Sequence, residues 1–427
     1  MLKKYLKYIT HSVAGMIGVS VYILADTYFI SRYAGASGLA ALNLILPLYG
    51  IMQGLGAMIG IGSATRYTIH KALGKKVDGY FMQSLLWSIL VSIPFVLVGA
   101  LIPQTVLTLL GGDAKLVELG SGYLRVALMG APFFVCNYTF TAFARNDKAS
   151  FVAMIASILG SLFNIVFDYV FMFMTPLGFT GAALATVASP IVTMILCMTH
   201  FMSKKSTVKL HVGMPSFTHI AGSVKLGVSS LMSEVTASVI TFTFNTLLLR
   251  ISGNTAVAAY GVVANYSIIA VAIFNGISQG SQPLISDSYG NNDAKGVKKY
   301  LKYGLVSAAL VEVAIVSFVY GATDFLISIF NSQNDMELAK LAYVGMRYYF
   351  LGFLVAGINI VLISYYAATA KAFLSMLGSL LRGLCAIILC AVVLSMVLGM
   401  NGVWLSFLTA EIITFIVMMI AARVRKK

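Results

Sequence analysis

Residues 149–174 read ASFVAMIASILGSLFNIVFDYVFMFM. This run of 26 residues holds a single charged side chain, Asp168. An α-helix needs about 20 apolar residues to cross the hydrocarbon core of a bilayer, so the stretch predicts a transmembrane helix. The run is too long for a barrel strand, and its apolar residues do not alternate with polar ones. The fold is therefore expected to be all-helical and embedded in a membrane.

The rest of the 427-residue chain has the same character, because 59% of its residues are hydrophobic and only 10% are charged. Soluble proteins carry about 25% charged residues. Short polar breaks divide the sequence into twelve apolar stretches, which predicts a polytopic membrane protein with twelve helices. The predicted helices 1 to 12 cover 11–33, 38–69, 82–110, 117–145, 149–174, 181–203, 222–251, 256–289, 300–330, 337–368, 372–398 and 402–424.

The formal charge of +15 suggests a nucleic-acid partner, but the distribution of the charge argues against one. With the N-terminus in the cytoplasm, Arg382 falls within the membrane and 22 of the other 28 basic residues fall on the inner side. Positive charge is retained on the cytoplasmic side of membrane proteins. We expect a monomer in the plasma (inner) membrane, with both termini cytoplasmic. The six outer basic residues are Arg32, Lys115, Arg125, Arg250, Lys340 and Arg347.

The two halves of the sequence resemble each other. An even number of helices per copy gives both copies the same orientation, an architecture found in transporters. We therefore predict an N-terminal bundle of six helices at 1–203, a cytoplasmic linker at 204–221 and a C-terminal bundle at 222–427. The repeated residues include Arg32, Gly35, Gly62 and Ser63, matched 218 positions later by Arg250, Gly253, Gly280 and Ser281, and Arg125 and Asn137, matched 222 positions later by Arg347 and Asn359.

Three motifs carry a resemblance to a known family. Helix 1 contains Tyr22-Ile-Leu-Ala-Asp26, helix 5 contains Asn164-Ile-Val-Phe-Asp168, and helix 8 contains Gly276-Ile-Ser-Gln-Gly-Ser-Gln-Pro283. In this order, they resemble the multidrug and toxin extrusion (MATE) family over essentially the whole chain. The resemblance is greatest to the bacterial branch with the helix 1 aspartate and the helix 5 Asn-x-x-x-Asp. It implies two pseudo-symmetric six-helix bundles and export driven by an ion gradient.

Asp26 and Asp168 lie at similar depth in the outer half of the membrane, judged from the ~1.5 Å rise per helical residue. Asn164 is one turn below Asp168, Tyr22 is one turn below Asp26, and Thr186 of helix 6 returns to this level. Ionisable groups in the membrane usually face a cavity or a partner. These five residues predict a site for a coupling ion, H⁺ or Na⁺, with Na⁺ expected at the two acids and the amide. A polar network that only fixes helix packing is the alternative.

A second set of polar residues predicts a substrate site in a central cavity. Glu234 lies near the middle of helix 7, where it would meet a cationic substrate. Asn265, Gln279 and Gln282 of helix 8 and Asn359 of helix 10 are expected to line the same cavity, with bonds between helices as the alternative. Some family members pair the helix 7 acid with a helix 10 aspartate. Helix 10 has no acid here, so a complete sodium site is not expected in this half.

Three further intramembrane charges and one substitution complete the pattern. Arg382 and Glu411 fall at similar depth on neighbouring helices and are expected to form an ion pair. Glu312 has no evident partner, and its role stays open. Some relatives have a proline in the inner half of helix 1, linked to bending. His11 stands near that place here, so that bend is not carried over.

The sequence favours a cation-coupled antiporter that exports small organic cations or amphiphilic drugs. The alternative within the same superfamily is a flippase for a lipid-linked precursor, which would need a cationic cavity for pyrophosphate. Five intramembrane acids against one arginine favour the antiporter. No phosphate-binding loop, nucleophile elbow or metal-ligand cluster is recognisable in the sequence. We therefore expect neither an enzyme nor a protein with a cofactor other than the coupling ion.

Overall fold

The computed structural model describes residues 1–211, 215–330 and 335–424, and within these ranges the regular structure is helical. Ten helices are long and apolar enough to cross a membrane, and two bent helix pairs bring the number of spans in this part of the chain to twelve. The prediction of a twelve-helix membrane fold is confirmed. Three basic residues assigned to the cytoplasmic side, Arg425, Lys426 and Lys427, lie outside the described residues.

Helices 1 to 6 form the N-terminal half. The prediction of one unbroken helix 3 over 82–110 is wrong, because Pro103 begins a separate short helix, Pro103–Leu109. Proline has no N–H to donate and is well suited to a first helical turn. Helix 4 is bent by 44° at Gly130. The six spans are Leu2–Gly35, Ser37–Ala72, Tyr80–Leu101, the bent pair Ala114–Met129 and Ala131–Asn146, Ser150–Phe173 and Phe179–Phe201.

Helices 7 to 12 form the C-terminal half. Helix 7 begins at Phe217, five residues before its predicted start, because Ser216 caps it by accepting a hydrogen bond from the His219 N–H (3.4 Å). Helix 11 contains a turn of π-helix at Leu381–Cys385. The six spans are Phe217–Gly253, Thr255–Gly290, Ala294–Phe330, the bent pair Met336–Phe350 and Phe353–Ala368, Ala372–Leu398 and Met400–Arg423.

The backbone repeats between the two halves. Gly35 (φ 58°) breaks the chain between helices 1 and 2, and Gly253 (φ 70°) breaks it between helices 7 and 8. Gly178 (φ 52°) and Gly399 (φ 58°) take the same conformation before helices 6 and 12. Glycine reaches these left-handed angles without steric cost. Helices 4 and 10 are both bent by 44°. The protein therefore consists of two pseudo-symmetric six-helix bundles.

The two bundles touch closely at one end of the molecule, which we call the linker end because it carries the N-terminus and the connection between the halves. A Cβ atom on Gly227 of helix 7 would lie 1.9 Å from the Met58 carbonyl oxygen of helix 2. A Cβ atom on Gly62 would lie 2.2 Å from the Ser223 carbonyl oxygen. The Ser63 hydroxyl donates a hydrogen bond to the Ser223 hydroxyl (2.8 Å). Only glycine permits backbones to approach this closely.

The first part of the linker is attached to the N-terminal bundle through Asp147. This carboxylate accepts hydrogen bonds from the Ser206 hydroxyl (2.9 Å) and from both the N–H (2.9 Å) and the hydroxyl of Thr207. His200 Nε2 lies 2.9 Å from it and Lys71 Nζ lies 3.5 Å from it. Burial alone would raise the pKa of Asp147, but the hydrogen bonds outweigh it and the pKa is lowered. The carboxylate therefore stays charged and holds the linker.

Candidate functional site

Helices 1 and 5 bring Asp26 and Asp168 together inside the N-terminal bundle. Asp26 is 8% exposed and Asp168 is fully buried, and their charges interact directly. Neither oxygen of Asp168, nor Oδ1 of Asp26, accepts a hydrogen bond from the described residues. A buried carboxylate without donors is costly, and a second one beside it adds repulsion. A bound proton or cation would remove both costs.

Asn164 lies one helical turn from Asp168 and is fully buried. Its amide nitrogen donates to the Thr186 hydroxyl of helix 6 (3.3 Å). The Asn164 carbonyl oxygen has no donor among the described residues. Carboxylate, carbonyl and hydroxyl oxygens are the ligands that hard cations prefer. Asn164 and Thr186 are thus bonded to each other one helical turn from Asp168, and the binding of H⁺ or Na⁺ by these oxygen atoms stays a prediction.

Three tyrosines surround the acids. Tyr22 is half-buried and lies within electrostatic range of Asp26, Asp168 and also Glu234 of the other bundle. The Tyr49 hydroxyl donates to the Tyr123 hydroxyl (3.5 Å), and both rings lie within range of the two aspartates. Tyr49 and Tyr123 were not predicted as site residues, because nothing in the sequence distinguishes them from tyrosines of an apolar core.

A cavity opens among helices 7, 8, 10 and 11, with about 570 Å³ of empty space including its mouth. Glu234, Gln279 and Gln282 line it, as the sequence suggests, and Ile61 of helix 2 contributes from the other bundle. Most of the remaining lining was not foreseen, because serine in a membrane helix also serves as a small packing residue. The other polar residues on the cavity are Ser229, Ser230, Ser233, Asn275, Ser278, Ser364 and Arg382.

Asn265 and Asn359 were also expected on this cavity, but neither of them is among the residues that line it. The Asn265 amide donates to the Gly261 carbonyl of its own helix (2.9 Å). Asn359 is fully buried, and its amide donates to Oε2 (2.7 Å) and to the backbone carbonyl (2.9 Å) of Glu411. Polar side chains in a membrane helix satisfy themselves on the nearest acceptor, which need not face a cavity.

A hydrogen bond across the molecule connects the cavity to the N-terminal bundle. The Tyr138 hydroxyl of helix 4 donates to Glu234 Oε1 (3.1 Å). Tyr138 also lies within electrostatic range of Tyr22. Tyr138 was not predicted from the sequence, because its partner lies 96 positions away. This bond joins the acid of the cavity to a helix of the opposite bundle.

The remaining intramembrane charges lie in the C-terminal bundle. The predicted pairing of Arg382 with Glu411 is confirmed, with Nε donating to Oε1 at 2.6 Å. Glu312 is 2% exposed, and its Oε1 accepts the Ile358 N–H of helix 10 (2.8 Å). Sequence alone does not reveal this partner, because a backbone N–H inside a helix is normally satisfied by the helix itself.

Two comparisons place the chain among known proteins. The profile of the MatE family matches residues 12–170 and 230–392, one segment in each bundle. The chain belongs to the MatE family. The protein is similar to the multidrug export protein MepA of Staphylococcus saprophyticus subsp. saprophyticus, with 26% identity over 399 residues, 92% of this chain and 87% of that protein.

Solved structures show the same fold for this MatE protein. One is a multidrug resistance MATE family transporter of the MOP superfamily in an outward-facing conformation, with a TM-score of 0.91 and 22% identity. Another is a MOP superfamily transporter from Pyrococcus furiosus, for which reverse polarity of the binding pocket suggests a different function, with the same TM-score and identity. Each alignment covers 99% of this chain and 95% of the solved chain.

Proposed function

We propose that this MatE protein is a cation-coupled antiporter that exports organic cations or amphiphilic drugs from the cytoplasm. The observation that carries the proposal is the pair of carboxyls, Asp26 and Asp168, which lie within electrostatic range of each other and whose buried oxygens lack donors in the described structure. Paired acids inside a membrane are typical of ion pathways. The similarity to a multidrug export protein supports the same substrate class.

The proposed mechanism starts from the state in the structure. The bundles are in contact at the linker end, and, with both termini cytoplasmic, this state faces outward. The coupling ion, H⁺ or Na⁺, enters from outside and binds at Asp26 and Asp168, with Asn164 and Thr186 as further oxygen ligands for Na⁺. Neutralising the acids reduces the negative potential at the cavity, and the affinity of Glu234 for a cationic substrate falls.

The substrate then leaves to the outside, and the bundles rock until the cavity faces inward. There the ion leaves and a new substrate binds. A ligand shifts such an equilibrium only through its different affinities for the two states. Ion and substrate supply this difference because both respond to the same group of acids. Tyr22 connects them, since it lies within electrostatic range of both aspartates and of Glu234.

We further propose that the moving units are residues 1–203 and 222–427, joined by 204–221, within a monomer of the plasma membrane. The repeated backbone geometry of Gly35 and Gly253 supports two equivalent units. The attachment of Thr207 to Asp147 supports a linker that travels with the N-terminal unit.

A flippase for a lipid-linked precursor is the second candidate function. The observation that favours it is Arg382 on the cavity wall, because a guanidinium recognises phosphate. Against it stand the acid on the cavity, Glu234, and the pair of acids in the N-terminal bundle.

Everted membrane vesicles loaded with a fluorescent organic cation test the antiporter proposal. A pH gradient and a Na⁺ gradient are imposed separately on wild type, Asp26→Asn and a matched control, Glu118→Gln, which neutralises an exposed acid. We expect transport to follow one gradient, to vanish in Asp26→Asn and to persist in Glu118→Gln. Absence of gradient-driven transport for several cations in the wild type would favour the flippase. Full transport by Asp26→Asn would remove Asp26 from the mechanism.

A further inference from the structure

The π-helical turn of helix 11 places Arg382 on the wall of the cavity. A π-turn widens the helix and is frequent at functional sites. The turn packs directly on helix 7, because a Cβ atom on Gly383 would lie 2.2 Å from the Thr236 hydroxyl and 3.5 Å from the Met232 carbonyl oxygen. These two contacts flank Glu234 in the sequence. The packing therefore brings a guanidinium and a carboxylate onto one cavity.

The guanidinium of Arg382 is only partly used by the protein. Its Nε donates to Glu411 Oε1, and the second oxygen of Glu411 is occupied by Asn359. In the described part of the chain, neither amino group of Arg382 has a hydrogen-bond acceptor. The side chain is 8% exposed, and that exposed part faces the cavity. Four N–H donors are thus left for whatever fills the cavity.

The cavity therefore presents two opposite charges with neutral polar groups between them. Glu234 receives one hydrogen bond, from Tyr138, and keeps a second oxygen for a cation. The two amino groups of Arg382 form a fork that matches a carboxylate through two parallel hydrogen bonds. A ligand with a cationic group alone satisfies Glu234 but gains no charged, forked hydrogen bonds from Arg382, whereas a ligand with a carboxylate gains both.

We propose that the cavity selects ligands carrying a carboxylate in addition to a cationic group, with the carboxylate bound by the two amino groups of Arg382. The cationic group lies at Glu234. This inference rests on the proposed function, because it takes the cavity as the substrate site. It differs from a flippase site in requiring the acid as well as the arginine.

Two matched dyes test the selectivity. Rhodamine 110 carries a carboxylate and a cationic ring system, and rhodamine 123 is its methyl ester, which lacks the carboxylate. Binding is measured by fluorescence polarisation on the full chain in lipid nanodiscs, without any ion gradient. We expect the wild type to bind rhodamine 110 about tenfold more tightly than rhodamine 123, as a charged, forked pair of hydrogen bonds gives. Equal affinities in the wild type overturn the proposal.

The variant Arg382→Lys keeps a positive charge for Glu411 but lacks the planar pair of amino groups that matches a carboxylate. We expect it to lose about tenfold in affinity for rhodamine 110 and to leave rhodamine 123 unchanged. The exposed Arg125→Lys is the matched control and changes neither dye. Equal weakening of both dyes in Arg382→Lys assigns the arginine to packing and overturns the proposal.

A second variant guards against misfolding. The double substitution Arg382→Met with Glu411→Leu removes both members of the buried pair, so no unpaired charge remains. It is expected to show the same selective loss of rhodamine 110, and a loss of both dyes contradicts the proposal. Because binding needs no ion gradient, the preference for rhodamine 110 can be measured even if the antiport experiment shows no transport. Normal gradient-driven export without any dye preference overturns this inference alone.

Discussion

The contact of Gly227 with helix 2 allows the balance between the two orientations of the transporter to be shifted by one methyl group. In Gly227→Ala, the new Cβ atom would lie 1.9 Å from the Met58 carbonyl oxygen, about 1.5 Å closer than the 3.4 Å at which ordinary van der Waals contact begins. The obstacle is backbone, so no side-chain rotation relieves it. The bundles must separate at the linker end.

The expected size of the shift follows from the cost of overpacking. An extra methyl group in a well-packed contact costs about 1–3 kcal/mol. This cost falls only on the state in which helices 2 and 7 touch. The ratio of the closed to the open state at the linker end is therefore expected to fall by roughly 5-fold to 150-fold.

Spin-label distances measure this ratio. Labels are placed at Lys75 and Lys295, which are exposed at the linker end of opposite bundles, after the native cysteines have been replaced. We expect Gly227→Ala to gain a population with a longer distance. Gly261→Ala is the matched control, because its Cβ atom meets nothing within 4 Å. If thermal melting shows that both variants are folded, identical distance distributions would contradict the expected opening at the linker end.

Three further perturbations test the polar contacts. Tyr138→Phe removes the hydrogen bond that stabilises the charged form of Glu234, and we expect rhodamine 123 to bind about tenfold more weakly in polarisation measurements; tighter binding contradicts this. Glu411→Gln leaves Arg382 without its carboxylate, and we expect the free energy of unfolding to fall by about 3–5 kcal/mol. The double variant Arg382→Met with Glu411→Leu should recover most of this loss, because no unpaired charge remains. Equal losses in the two variants would argue against a buried ion pair. The pKa of Asp147 is lowered from its ordinary value of 3.8. The stabilisation that the charged carboxylate gives to the attachment of the linker is therefore complete above pH 3.8, and it is lost only as the pH falls through the lower pKa of the folded protein. In the wild type, hydrogen-exchange protection of residues 204–211, corrected for intrinsic rates, should therefore stay constant between pH 7 and pH 5. In Asp147→Asn, this protection should be lower. A decline in the wild type over this pH range would contradict the role of Asp147 in holding the linker.

Most of the fold could be predicted because hydropathy acts on whole segments. Every predicted span has a counterpart in the structure, since a run of about 20 apolar residues has no other stable place in a bilayer. The ends and bends depend on single residues instead. Pro103 ends helix 3 early and Ser216 begins helix 7 early. The bend at Gly130 was not predicted, because a glycine inside an apolar run reads equally well as a small packing residue.

The residues of the candidate site were likewise predictable only in part. Asp26, Asp168 and Asn164 could be located from depth and helical spacing, because a charged or amide group is conspicuous among apolar neighbours. Tyr49 and Tyr138 could not, since a tyrosine belongs as naturally to a core as to a site, and only the partner decides. Depth also says nothing about the direction of a side chain. This is why the two asparagines expected on the cavity turn to acceptors within the C-terminal bundle.

The duplicated backbone carries different chemistry in its two copies, and this has an evolutionary consequence. At the spacing of the repeat, Asp26 corresponds to Phe244 and Asp168 corresponds to Cys390. A duplication would account for the shared backbone geometry, and later divergence would account for the different charges of the two copies. In the mechanism proposed above, the N-terminal copy binds the coupling ion and the C-terminal copy forms most of the substrate cavity. A tandem fusion of two N-terminal copies would therefore preserve the scaffold, double the acid pairs and lose the cargo site, so the two copies complement each other without being interchangeable.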